Sequence, residues 1–193
     1  MITKWWLLVK KQEMTRVWDG DKMIPVTLLK ISTQKVIQHK TQEKDGYSAL
    51  VIWADEKKGK YGKICEFKVS EDELATYPVG SEITGDILAD VATVRVVGIS
   101  KGKGFQWGMK RHNFGGWPAT HGSKFHRALW STGNRKPRRT IRGQKMAGHM
   151  GDARITLKTV PVIEVATLDN QSILMLKGSV PGAYHTYLEI IIA

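Results

Sequence analysis

The chain has 193 residues, with 30 lysines and arginines against 18 aspartates and glutamates, for a formal charge of +12. That length admits one domain with a proper core or two small ones, and the charge points to phosphate-rich partners, either nucleic acid or an anionic membrane surface. A single cysteine, Cys65, excludes an internal disulfide and gives no metal site by itself, which fits a reducing compartment.

The N-terminal MITKWWLLVKKQE has only a five-residue apolar run before Lys10 and Lys11, too short for a secretory core or a membrane span. A soluble, cytoplasmic protein is expected. Short β-branched runs then recur: IPVTLLKIS from Ile24, YSALVIWA from Tyr47, ICEFKVS from Ile64, ITGDIL from Ile83, ARITLKTVPVIEVA from Ala153 and SILMLKGSV from Ser172. They read as strands, and Ile155 and Leu157 alternate with Thr156 and Lys158 as on a half-buried sheet. Ser70 through Tyr77 is the one helix candidate with a start signal, Ser70 capping and Glu73 three residues on. The fold expected is mainly β, an antiparallel barrel closed or nearly so. Cys65 reads as a small buried apolar residue. Asp19, Asp21, Asp45, Asp55 and Glu56 lie in turn-like contexts and read as surface or capping residues.

No Asp or Glu occurs between Asp90 and Asp152, while that interval holds 13 lysines and arginines. The remainder has 17 basic and 18 acidic residues, so one segment carries essentially the whole net charge. It also carries 11 of the 19 glycines and follows neither helical nor strand periodicity. Its sparse apolar residues cannot offset an ordering entropy of about 1 to 2 kcal/mol per residue. The domains expected are therefore a globular barrel over 1–100 and 152–193 and a basic arm over 101–151 ordered by a partner.

Within the arm, Lys101, Lys103, Lys110, Arg111, Lys124, Arg127, Arg135, Lys136, Arg138, Arg139, Arg142 and Lys145 suit phosphate contact. Arginine forks match phosphate oxygens, lysines supply point charges, and glycines let the backbone approach RNA closely. Phe105, Phe114 and Phe125 stand among them as stacking surfaces. His112, His121, His126 and His149 do not follow a zinc spacing and are expected to hydrogen-bond RNA or pack on the backbone. GKGFQWG from Gly102 lacks both the dinucleotide-binding and the phosphate-loop pattern. Without a carboxylate in the arm, acyl or phosphoryl chemistry lacks its usual base, so no enzyme, cofactor, metal or small-molecule substrate is expected. Two rivals remain at this point: an RNA-modifying enzyme, which needs convergent carboxylates or a cofactor motif, and a DNA-compacting protein, which the non-repeating arm disfavours.

KGKGFQ from Lys101, MKRHNFGG from Met109, PATHGSKFHR from Pro118, KMAGHMGD from Lys145 and KGSVPGA from Lys177 resemble the bacterial-type large-subunit ribosomal protein family L-three. KK at Lys10, MTRVW from Met14, IPVT from Ile24 and DGY from Asp45 extend the likeness over nearly the whole chain in order. The resemblance implies a translation-protein-type barrel on the outside of the large subunit, with a long irregular basic extension inserted between its strands. The extension would thread into large-subunit rRNA toward the peptidyl transferase centre. The resemblance further implies early rRNA binding that helps nucleate assembly, contact with neighbouring large-subunit ribosomal proteins, a ribosome-bound location, and peptide-bond formation by the RNA itself. By motif position, Gly133, Asn134 and Arg135 look like the tip, and Lys101–Met109 and Arg142–Met150 its return strands. Asn113 falls within the MKRHNFGG motif and is grouped with the RNA-binding residues on that ground. The tip STGNRKPRR is about one residue shorter than the family pattern and lacks the glutamine that some members have methylated.

Trp6, Trp53, Trp107, Trp117 and Trp130, five of the seven tryptophans, fall where the resemblance leads one to expect glycine. Drift does not choose one bulky replacement repeatedly, and a UGA codon that means glycine in the cell leaves this signature in a translated gene. Indoles that stack on RNA bases are the alternative. The intact mass of natively expressed protein separates them: recoding leaves it short by five glycine-for-tryptophan differences, and a mass matching all seven indoles ends the idea. Val9 and Glu13 also sit at expected glycines, and recoding does not account for them.

Overall fold

The computed structural model describes residues 5–57, 60–88, 90–133, 138–139, 141–168 and 171–192. The chain divides into two units, Met1–Ile99 with Arg154–Ala193, and Ser100–Ala153. Strands run in chain order as β1 (Trp5–Asp19), β2 (Lys22–Ile31), β3 (Gln34–Lys40), β4 (Ala49–Lys57), β5 (Lys60–Lys68), β6 (Glu82–Ile83) and β7 (Thr93–Ile99). The short β8 (Phe105–Gln106) and β9 (Gly148–His149) belong to the second unit, and β10 (Arg154–Leu168), β11 (Gln171–Lys177) and β12 (Tyr187–Ile192) return to the first.

Six strands close an antiparallel barrel in the order β1-β12-β7-β10-β11-β2, and a four-stranded sheet runs β5-β4-β3-β6. The expectation of a mainly β chain built on a closed antiparallel barrel is met. Val9, Leu29, Val96, Leu174, Leu176 and Ile190 are wholly buried in one apolar cluster, and burial of each such side chain stabilises by about 1.5 to 3 kcal/mol. The β1–β2 hairpin turns through Gly20 at φ +60, the left-handed conformation that suits glycine. Ile99 on β7 pairs directly with Arg154 on β10, so residues 100–153 leave and re-enter the barrel sequence at one ladder position.

Two buried polar groups fix this packing. Gln34 is fully buried and acts as a surrogate strand: it accepts from Leu8 N at 3.0 Å and donates to Leu8 O at 3.0 Å. Lys11 is 7% exposed, and its ammonium donates to Val180 O at 2.8 Å and Gly182 O at 3.1 Å.

The helices differ from expectation. α1 (Gln42–Asp45) carried no sequence signal and ends at Gly46, φ 78, whereas α2 (Glu71–Thr76) lies inside the expected span. Of ITGDIL only Ile83 lies in a strand, the short Glu82–Ile83; Gly85–Leu88 is a 3-10 helix. Gly85 sits so close to Ile31 that a Cβ would stand 2.7 Å from its Cδ1, and the turn drops Leu88, 0% exposed, into the core. Of the alternation over 154–158, Leu157 packs against the core between exposed Thr156 and Lys158, whereas Ile155 is 40% exposed and does not join it. Cys65 is half-buried against the core, and burial pushes its thiol pKa up, which keeps it an unreactive apolar group. Among the described residues no helix is long and apolar enough to cross a membrane.

Asp55 is not the plain surface turn residue expected. Its φ is +55, and its Oδ2 accepts from Ser32 Oγ at 3.1 Å and from Tyr187 Oη at 3.0 Å. Burial, then the bond to Asp55 and its charge, push the Tyr187 hydroxyl up to about 12. Because the folded value lies above the ordinary one of 10.0, the stabilisation is complete below pH 10 and disappears as pH rises toward 12. Tyr187→Phe is expected to lose about 1 kcal/mol at neutral pH and to flatten the alkaline part of the stability profile. Denaturant melts from pH 8 to 12 check this, and an unchanged alkaline slope in the variant would contradict it.

Candidate nucleic-acid interface

Residues 100–153 hold twelve lysines and arginines with Asp152 as the only carboxylate. None of the described residues in this segment is buried. Backbone pairing replaces a core at its base: Ser100 N donates to Ala153 O at 2.9 Å, Lys103 N to Met150 O at 2.9 Å and Met150 N to Gly104 O at 3.0 Å. Beyond these, Phe105 pairs with His149 and Gln106 with Gly148. Gly104 and Gly151 take φ +65 and +79, and the absence of a Cβ at Gly151 lets the two lines pass closely there.

The single helical turn α3 (Gly108–His112) follows, and Asn113 ends it in the left-handed region at φ 56, its N–H returning to Gly108 O. Arg111 Nη1 and His112 Nε2 both donate to Met146 O, at 2.7 and 2.9 Å. A Cβ on Gly148 would lie 2.6 Å from Arg111 Nη1, so glycine there admits the guanidinium. These two sequence-selected residues therefore brace the segment internally, and His112 also packs its ring 5.7 Å from Phe114. His126 Nδ1 bonds Pro118 O at 2.9 Å, while His121 and Gly122 turn the chain at φ +62 and +77.

The other described cations are exposed. Lys103, Lys110, Lys124, Arg127, Arg138, Arg139, Arg142 and Lys145 are exposed and, among the described residues, have no carboxylate partner. Lys101 is exposed as well. Phe105 is 65% and Phe125 44% exposed, with Trp107 edge-on to Phe105 at 6.0 Å. Trp117 lies 4.9 Å from Trp130, which meets Phe125 edge-on at 5.2 Å. Trp53, Trp107, Trp117 and Trp130 all keep negative φ, so the backbone at these positions does not itself demand glycine. Toward the tip, Ser131 and Gly133 exchange hydrogen bonds at 3.1 and 3.2 Å, and Gln144 Nε2 donates to Thr132 O. Asn134, Arg135 and Lys136, expected at the tip, lie outside the described residues.

The sequence reads Asp55 only as a surface or capping residue, because its partner Tyr187 is remote, and gives no sign of His185, whose φ of +62 has no local signature. It also gave Lys11 no buried role, because the carbonyls it bonds lie some 170 residues away in sequence.

The chain is similar to known proteins over most of its length. A family model described as Ribosomal protein L3 matches residues 27–172. The large ribosomal subunit protein uL3 of Pasteurella multocida (strain Pm70) is 42% identical over 197 residues, covering 92% of each chain. Those of Psychrobacter sp. (strain PRwf-1) and Shewanella loihica (strain ATCC BAA-1088 / PV-4) are 40% and 42% identical with the same coverage.

Proposed function

The chain belongs to the ribosomal protein L3 family, which is structural and not catalytic, and from that premise we propose that residues 100–153 bind large-subunit rRNA directly. Membership makes the protein a constituent of the large ribosomal subunit, ribosome-bound and in the company of rRNA and other ribosomal proteins. The finer reading is that the barrel docks at the subunit exterior in the cytoplasm and contacts neighbouring proteins, while the arm enters rRNA with its tip toward the peptidyl transferase centre. Early binding of this kind would help nucleate subunit assembly.

One observation carries the reading: a segment with twelve cations, one carboxylate and no buried residue among those described. Such a segment has no apolar core to pay for its order. Phosphates supply the missing stabilisation, since each neutralised contact releases condensed counterions. Exposed Phe105 and Phe125 offer ring faces to unpaired bases. Arg111 and His112 contribute by holding the segment's shape, and the exposed lysines and arginines by meeting phosphate.

Sucrose-gradient fractionation of cells at low and high salt tests this. Comigration of the protein with the large subunit at both salts is the expected result. Release by mild salt would mean a transient RNA partner and would overturn the structural role.

A further inference from the structure

The barrel unit carries a second basic surface, away from the glycine-rich segment in sequence. Lys30 on β2 stands directly opposite Lys10 on β1, and Lys10 directly opposite Tyr187 on β12. Their ladder neighbours Val9, Leu29 and Leu188 are buried, so this row lies on the outer barrel face. Like charges directly opposite one another destabilise a ladder. Among the described residues neither ammonium has a carboxylate partner, and Lys10 Nζ instead sits 5.7 Å from the centre of the Tyr187 ring.

The row forms one side of a cleft of about 930 Å³, also lined by Lys35, Trp53, Asp55 and His185. A volume of that size suits a small organic ligand and far exceeds what a bare phosphate fills. Two of the lining residues hold strained left-handed backbone, Asp55 at φ +55 and His185 at φ +62, the kind of strain that collects at binding sites. Glycine at 62 leaves room for the Asp55 backbone, since a Cβ there would lie 2.1 Å from the Asp55 carbonyl oxygen. Lys35 is already paired with Glu82 at 2.8 Å, which leaves Lys10 and Lys30 as the anion-seeking end. The Tyr187 ring that Lys10 contacts carries, at its hydroxyl, the Asp55 carboxylate, so the cleft is also lined by a carboxylate with a phenol hydroxyl bonded to it. A fitting ligand is therefore anionic where it meets the lysines and neutral, with hydrogen-bond donors, where it meets the carboxylate.

We propose that this cleft binds one unpaired nucleotide of RNA, its phosphodiester on the Lys10–Lys30 pair and its nucleoside beside Tyr187 and Asp55. The inference rests on the reading that the partner is rRNA, and extends it to a site in the barrel. A free phosphate or a lipid headgroup matches only the lysine end, and the carboxylate repels it.

The test uses the full chain, a transcript of large-subunit rRNA, and the double variant Lys10→Gln with Lys30→Gln. The double variant relieves a like-charge pair and gives up the Lys10 contact with the Tyr187 ring, so its melting temperature is expected to stay close to that of the wild type, and a thermal melt checks that it folds. Loss of two phosphate contacts is expected to make the slope of log K against log salt shallower by roughly 1.4 to 1.8. Ultraviolet cross-linking with peptide mapping is expected to join RNA to the Tyr187 peptide in the wild type and not in the variant. A variant that keeps both slope and cross-link overturns the cleft while leaving rRNA binding intact. Displacement of the cross-link by inorganic phosphate alone overturns the nucleotide assignment. A wild-type chain that fails to bind the transcript overturns the rRNA reading and this site with it.

Discussion

Converting Lys101, Lys103, Arg142 and Lys145 together to glutamine is expected to weaken binding to large-subunit rRNA by roughly 10² to 10³-fold at about 150 mM salt. All four are exposed, and each phosphate contact contributes about 0.7 to 0.9 to the salt slope. If about 6 to 10 phosphates are engaged in all, the wild-type protein loses roughly 10³ to 10⁵ in affinity between 50 and 200 mM salt. The variant should show a slope shallower by about three units and no change in barrel melting. Arg135→Ala removes one of the cations that the family resemblance assigns to the tip and is expected to cost under about tenfold in affinity. Salt titrations by filter binding measure both, and equal losses from the two constructs would contradict the division between arm base and tip.

Arg111 sharpens that comparison because its guanidinium is already bonded to Met146 O at 2.7 Å. Charge counted from the sequence treats Arg111 and Arg142 alike. In the folded segment one closes a loop across 35 residues and the other faces solvent. The number of cations in the arm therefore overstates the number free for phosphate.

The same distinction explains which parts of the chain were legible in advance. β2, β4, β5, β10 and β11 announced themselves through β-branched runs, because tertiary context and local preference agree there. β1 did not: Leu7, Leu8 and Val9 are all buried in succession, with Gln34 covering Leu8, and a strand buried on both faces has no period of two. The barrel could be anticipated from strand number, but its order could not, since β1 pairs with β12 across nearly the whole chain length. The basic segment was legible because charge and glycine content need no knowledge of contacts. Its internal bracing by Arg111, His112 and Gly148 was not, for those residues meet only after the segment has turned back. The Asp55–Tyr187 bond spans 132 residues and left no trace in local pattern.

Gly151→Ala is expected to unpair the base of the arm while leaving the barrel folded. Gly151 has φ +79, and a Cβ there would stand 2.2 Å from Lys101 O, 3.0 Å from Gly102 Cα and 3.0 Å from Lys103 N. All three obstacles are backbone, so no side chain can swing aside. A non-glycine residue in the left-handed region already costs about 1 to 2 kcal/mol. Separating the two lines also loses the bonds from Lys103 N to Met150 O and from Met150 N to Gly104 O, at about 1 kcal/mol each. The total of about 3 to 4 kcal/mol falls on a segment in which no described residue is buried, so nothing apolar resists the opening. Amide exchange over 100–106 and 148–153 should accelerate by roughly 10² to 10³-fold, each 1.4 kcal/mol being a factor of ten, and rRNA affinity should fall because the cations it needs lose their common frame. Gly143→Ala is the control: its φ is +82 but nothing lies within 4 Å of the added Cβ, so only the conformational cost applies. Equal exchange in the two variants would show that left-handed strain alone, and not the close passage of Lys101 past Gly151, sets the stability of the arm's base.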